Sequence, residues 1–175
     1  MARIRRWSAY RKLERPYTRI SKYKKKSFIK TTANIKVIRF NTGNLKKKFP
    51  YTLHLVSKEG LQIRDNALES GRQTCNRLLE KTLGLAGYYM QVRAYPHHIL
   101  RENPLAAGAG ADRFSTGMQK AFGKPYGSAA RIRKGQEIVT VSVNKKDILV
   151  ARKALDRFRK KIPGSYLVKL EDIKK

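Results

Sequence analysis

The chain is short of acidic residues, cysteine and long apolar runs, and each shortage closes off a set of functions. It has 12 Asp+Glu against 41 Lys+Arg, a formal net charge of +29 over 175 residues. So few carboxylates leave little with which to gather metal ions, and metal-gathered carboxylates are what most nucleases need. The single cysteine, Cys75, permits no intramolecular disulfide and no cysteine-rich zinc site. That usage fits a reducing, cytoplasmic setting. No apolar run approaches the ~18 residues of a membrane-crossing helix. The basic start Met1-Ala2-Arg3-Ile4-Arg5-Arg6-Trp7 is followed by no apolar segment, so it does not read as a secretory signal.

What is present is cationic charge. A compact domain with this excess repels itself unless counter-ions or a polyanion surround it. Nucleic acid is the natural polyanion, because each neutralised phosphate releases a condensed counter-ion. An anionic membrane surface and a merely solvated basic surface are the alternatives. The membrane reading is the weaker, since the basic stretches lack a sustained amphipathic helix. Hydrophobic residues make up 41% of the chain, and at this length about 70% of the unfolded surface can be buried. A folded core with basic extensions follows.

Residues 1–30 hold twelve Lys/Arg and one acid, Glu14, with Trp7, Tyr10, Tyr17, Tyr23 and Phe28 interleaved. Apolar periodicity is weak, so an irregular arm over 1–33 is expected. It cannot bury enough apolar surface to fold alone, but it can order along RNA, cations on phosphates and rings on exposed bases.

Beyond the arm, alternation predicts strands at 34–40, 51–57, 88–95, 136–143 and 166–170. Asn41-Thr42-Gly43-Asn44 reads as a turn. Helical spacing runs through 61–83, ending at Gly84, with Cys75 on the apolar stripe as a small core residue. A second helix is expected from an Asn144 cap with Asp147 three residues on, a variant of the capping box. Its stripe is Ile148, Ala151, Ala154 or Leu155, and Phe158, and Pro163-Gly164 ends it. No linker divides residues 34–170, so they read as one α+β domain, with 171–175 as a tail.

The segment 101–128 reads as a long functional loop, rich in Gly and Ala over 106–111. Small residues let a backbone approach another surface closely, and between Arg101 and Arg113 that surface would be a phosphate backbone. Two motif look-alikes fail here. Gly108-x-Gly110 has Arg113 where a dinucleotide fingerprint needs its third glycine, and Gly117 to Gly123-Lys124 is one residue too long for a P-loop, with Pro125 in place of Ser/Thr. His97 and His98 are adjacent on an extended chain and point to opposite sides, so with His54 they make a weak metal set. Asp65 and Glu69, at i and i+4, read as an ordinary solvated helix face. Glu102 and Asp112 meet across the loop only in a nuclease reading; flanked by Arg101 and Arg113, they read more simply as ion pairs shaping it. No motif supports a nucleophilic triad, and no catalytic residue, metal or cofactor is assigned. A general nucleic-acid-coating protein remains as the other non-enzymatic reading.

Specific residues accumulate into a resemblance. The run Ala107-Gly108-Ala109-Gly110-Ala111-Asp112-Arg113, then Thr116-Gly117-Met118 and Ala121-Phe122-Gly123-Lys124-Pro125, resembles the ribosomal protein family called L ten-e in archaea and eukaryotes and L sixteen in bacteria. Leu68-Glu69-Ser70-Gly71-Arg72 with Asn76, Pro96-His97 with Leu100-Arg101, Ala130-Arg131 with Gly135-Gln136, and the archaeal-type Arg15-Pro16-Tyr17-Thr18-Arg19 support it across nearly the whole chain.

The resemblance implies a single-domain two-layer α+β sandwich of the alpha/beta hammerhead kind, with two main helices, the basic arm and the long loop. It implies a non-enzymatic protein of the large ribosomal subunit in the cytoplasm. Its partners would be large-subunit ribosomal RNA, the vicinity of the five-S RNA, tRNA, neighbouring ribosomal proteins and late assembly factors. The stretch Arg101-Glu102-Asn103-Pro104-Leu105-Ala106-Ala107-Gly108-Ala109-Gly110-Ala111-Asp112-Arg113 corresponds to a loop pointing towards the peptidyl transferase region, although Pro104–Ala107 departs from the eukaryotic version. RNA contacts are expected from Arg3, Arg5, Arg6, Arg11, Lys12, Arg15, Tyr17, Arg19, Lys22, Lys24, Lys25 and Lys26 in the arm. Arg101, Arg113, Lys120, Lys124, Arg131, Arg133 and Lys134 are expected at the loop and its base.

Overall fold

A computed structural model describes residues 7–10, 13, 23, 34–102 and 124–173. Two antiparallel sheets carry its strands. The larger has the order β1 (Asn41–Gly43), β4 (Tyr88–Val92), β7 (Glu137–Val143), β2 (Tyr51–Ser57), β8 (Tyr166–Asp172). The smaller has the order β3 (Leu61–Arg64), β6 (Lys124–Ile132), β5 (His98–Glu102). Helices α1 (Asp65–Leu83) and α2 (Ile148–Arg159) pack on each other beside the large sheet. The architecture is α+β with two main helices, as the sequence implied.

The core follows from the pleat. Leu53 pairs with Val141 and Leu55 with Val139, while Met90 and Val92 meet the same two valines from β4. Their side chains share one face of the sheet and are buried with Leu68, Cys75 and Leu79 of α1 and Ala151, Leu155 and Phe158 of α2. Leu61, Ile63, Ala130 and Ile132 of the small sheet join the same cluster. The helices approach closely at Gly71, where a Cβ would lie 3.0 Å from the Phe158 ring.

Several expectations need correction. Residues 34–40 form no strand; the short strand is β1, on residues expected to turn, because Asn41–Gly43 pairs with β4. The helix begins at Asp65, since 61–64 is claimed by pairing with β6. The loop is shorter than 101–128, because Arg101–Glu102 belongs to β5 and Lys124–Ser128 to β6. Asn144 precedes a short 3-10 turn, Lys145–Asp147, and makes no side-chain cap bond. Finally, β8 takes in Glu171 and Asp172, the first two residues of the expected tail. The strand expected over 88–95 ends at Val92, while those at 51–57 and 136–143 and the stripe of α2 stand where the sequence put them, to within a residue.

Candidate nucleic-acid interface

The small sheet turns Leu61, Ile63, Ala130 and Ile132 to the core, so the alternate residues Gln62, Arg64 and Arg131 lie on its opposite face. His98, across from Ala129, joins them. The N-terminal segment seats on this face. A 3-10 turn, Trp7–Tyr10, brings the Tyr10 carbonyl within 3.3 Å of Gln62 Nε2, which donates to it. The Arg64 guanidinium sits 5.7 Å from the centre of the Tyr10 ring, a cation–π contact. Leu13 packs over Gly60, where a Cβ would come within 2.9 Å of its Cδ1.

His98 is buried here, and its pKa is pushed down to about 4 by desolvation, then by the Arg131 charge and by His97. It is therefore a neutral imidazole at physiological pH, and Arg131 is the cation of that pair.

The loop leaves and returns at one end of the same sheet. Glu102 is the register partner of Lys124, and Arg101 of Pro125. Lys124 is exposed, and Arg101 and Glu102 are half-buried. Arg133 and Lys134 are exposed in the turn between β6 and β7, where Gly135 takes a φ of +81° and the Arg133 N–H donates to Gln136 Oε1. At the rise of an extended strand that is roughly 30 Å from Lys124. The expected cations thus divide: Arg101 and Lys124 at the loop base, Arg131 on the sheet face, and Arg133 and Lys134 at the far end. Asn103 to Arg113 and Lys120 lie outside the described residues, as do the expected arm contacts Arg3, Arg5, Arg6, Arg11, Lys12, Arg15, Tyr17, Arg19, Lys22, Lys24, Lys25 and Lys26.

Asp65 and Glu69 are not a solvated face. Both are buried, and they accept the backbone N–H groups of Lys36 and Ile38 at 3.1 and 3.3 Å. Two carboxylates thereby strap 34–40 across α1, with Arg72 neutralising Glu69. The i, i+4 spacing was the available signal; what it could not show was that the partners are backbone groups about 30 residues away.

Cys75 is in the core, where burial pushes its thiol up to about 12. His97 and His98 do point apart, one exposed and one buried. Among the described residues, one group of three potential metal ligands converges: His54, Glu137 and Glu171. Glu137 approaches His54 Nδ1 at 3.3 Å and Glu171 approaches Nε2 at 3.4 Å. The carboxylates flank different nitrogens of one ring, and Arg93 also pairs with Glu137. The cluster links β2, β7 and β8 through the His54 ring and its two flanking carboxylates.

These features define a class: a small, strongly basic α+β protein with exposed cations at both ends of its small sheet. Comparison with known proteins makes the class specific. The family described as Ribosomal protein L16p/L10e matches residues 17–169. The chain is 43% identical to a protein of Methanococcus aeolicus over 91% of this chain and 90% of that one, and 44% identical to one of Archaeoglobus fulgidus over 93% and 90%. It is 42% identical to one of Nanoarchaeum equitans over 99% and 96%. All three relatives carry the name large ribosomal subunit protein uL16. The chain belongs to this family of ribosomal proteins, which is not a family of enzymes.

Proposed function

We propose that the chain is a structural constituent of the large ribosomal subunit in the cytoplasm. There it binds large-subunit ribosomal RNA, helps order the tRNA-binding and peptidyl transferase region, and supports late subunit assembly. The observation that carries this reading is the family match over residues 17–169. The small sheet supports it physically: it seats the arm at Tyr10 and holds both ends of the loop at Arg101 and Lys124.

Peptide-bond chemistry belongs to RNA in this account. The protein neutralises phosphate repulsion where RNA helices crowd together. Arginines grip phosphate through two parallel hydrogen bonds, and lysines act as point charges. Most such contacts position the RNA and read little sequence. The five-S RNA, tRNA, neighbouring ribosomal proteins and assembly factors are the further partners this position implies.

Sedimentation of a tagged chain from cell extract tests the reading. The tag should travel with the large subunit at moderate salt. A tag that stays at the top of the gradient, or follows DNA, would contradict it.

A further inference from the structure

Between β4 and β5 exposure alternates: Arg93, Tyr95 and His97 are exposed, Ala94 and Pro96 buried, and the backbone turns tightly at Pro96, where the His97 N–H donates to the Tyr95 carbonyl at 3.0 Å. A guanidinium, a phenol ring and an imidazole are thereby exposed close together along the chain. Tyr95 stacks on Phe40, with ring centres 5.3 Å apart and planes 24° from parallel. Phe40 is half-buried and packs against the core, which fixes the Tyr95 ring from below while leaving it 52% exposed. Exposed Arg39 adjoins Phe40 in the chain. Arg93 is held by Glu137. His97 Nδ1 lies 3.0 Å from the Tyr95 carbonyl. A carbonyl only accepts, so Nδ1 carries the hydrogen and donates to it, which leaves Nε2 outside this contact.

Single exposed apolar side chains are ordinary on protein surfaces. A ring pre-set by a second ring beneath it, among cations and hydrogen-bonding groups, is the arrangement that unpaired bases recognise. We propose that Tyr95, backed by Phe40, is a stacking platform for an unpaired RNA base, with His97 Nε2 beside it for a hydrogen bond to the base or a 2′-hydroxyl. A protein partner is the weaker occupant, because Arg39 and a net charge of +29 favour an anionic one. The inference rests on the RNA-binding reading above and adds to it a contact that does not depend on charge.

The experiment measures binding of the full chain to protein-stripped large-subunit ribosomal RNA across a salt series. It compares wild type, Tyr95→Ala, Tyr95→Phe and the pair Arg133→Gln/Lys134→Gln, with circular dichroism melts confirming that each is folded. Tyr95→Ala should weaken binding about 5- to 100-fold with an unchanged salt slope, and Tyr95→Phe should bind like wild type. The charge pair should flatten the salt slope. If Tyr95→Ala binds like wild type while the charge pair weakens binding, the platform is overturned and the RNA reading stands. If wild type itself does not bind, both fall. Ultraviolet crosslinking of wild type in native subunits gives a readout independent of the variants' folding. A nucleotide adduct on Tyr95 supports the platform, and a protein crosslink at Tyr95 instead overturns it.

Discussion

Glu69 and Arg72, one turn apart on α1, meet through two parallel hydrogen bonds, Arg72 Nε to Oε2 at 2.8 Å and Nη2 to Oε1 at 2.6 Å. Gln73 donates to the same carboxylate at 3.0 Å, and the Ile38 N–H at 3.3 Å. Hydrogen bonding from Arg72 holds the Glu69 carboxyl below its ordinary value, against the opposing effect of burial.

A carboxylate with a depressed folded-state pKa contributes stability that is present above its unfolded pKa, about 4.3, and is lost as pH falls through the folded value. Glu69→Gln should therefore cost about 2–3 kcal/mol at pH 7. The difference from wild type should shrink steadily below about pH 4. Urea unfolding at a series of pH values measures this; a constant difference down to acid pH would contradict it.

His98 gives a second pH dependence of opposite origin. Its folded pKa, about 4, lies below its ordinary 6.5. Between those values the unfolded chain binds a proton that the folded one refuses, so stability declines as pH falls through this window. Nuclear magnetic resonance of the ring should show no protonation of His98 above about pH 5. Arg131→Met should move the midpoint upward by removing the repelling charge. Titration of wild-type His98 near 6.5 would show that it is not buried beside Arg131.

Gly71 sits where α1 meets α2, and a methyl group there would lie 3.0 Å from Phe158 Cε2 and Cζ. Gly71→Ala should destabilise the fold by about 1–3 kcal/mol through overpacking, despite the better helix propensity of alanine. Gly71→Ala combined with Phe158→Leu should recover part of the loss. Thermal melts of the two variants decide it, and an unchanged melting temperature for Gly71→Ala would contradict the packing.

Arg113 lies in the sequence between Arg101 and Lys124, in the stretch whose resemblance implies an RNA-facing loop. If its work is on RNA, Arg113→Ala should leave the thermal unfolding of the isolated chain unchanged while lowering its incorporation into mature large subunits. Equal loss of both would assign Arg113 to folding.

How much of this was legible in the sequence depended on where each segment finds its partners. The strands at 51–57 and 137–143 announce themselves, because both are β-rich and their alternate apolar residues all face the helices. Residues 34–40 also look like a strand, yet the Lys36 and Ile38 N–H groups go to carboxylates of α1 instead of a strand. Ile63 fits the helical spacing of Ala67 and Gly71, but β3 is fixed by Ala130, far along the chain, which periodicity cannot see. The Gly127-Ser128-Ala129 stretch has weak strand propensity and is a strand because β5 pairs with all three residues and β3 with Ala129. At the site, composition marked Arg101, Lys124, Arg131, Arg133 and Lys134 as cations. It could not tell that they occupy three separate places, or that Tyr95 stands on Phe40.

The central claim is that this chain's cations and loop act on large-subunit ribosomal RNA. Crosslinking of the tagged protein in cells, followed by sequencing of the attached RNA, tests it most directly. The account predicts crosslinks concentrated in a few segments of large-subunit ribosomal RNA, and depleted from some of them when the arm is deleted. Crosslinks scattered over messenger RNA or DNA would contradict it.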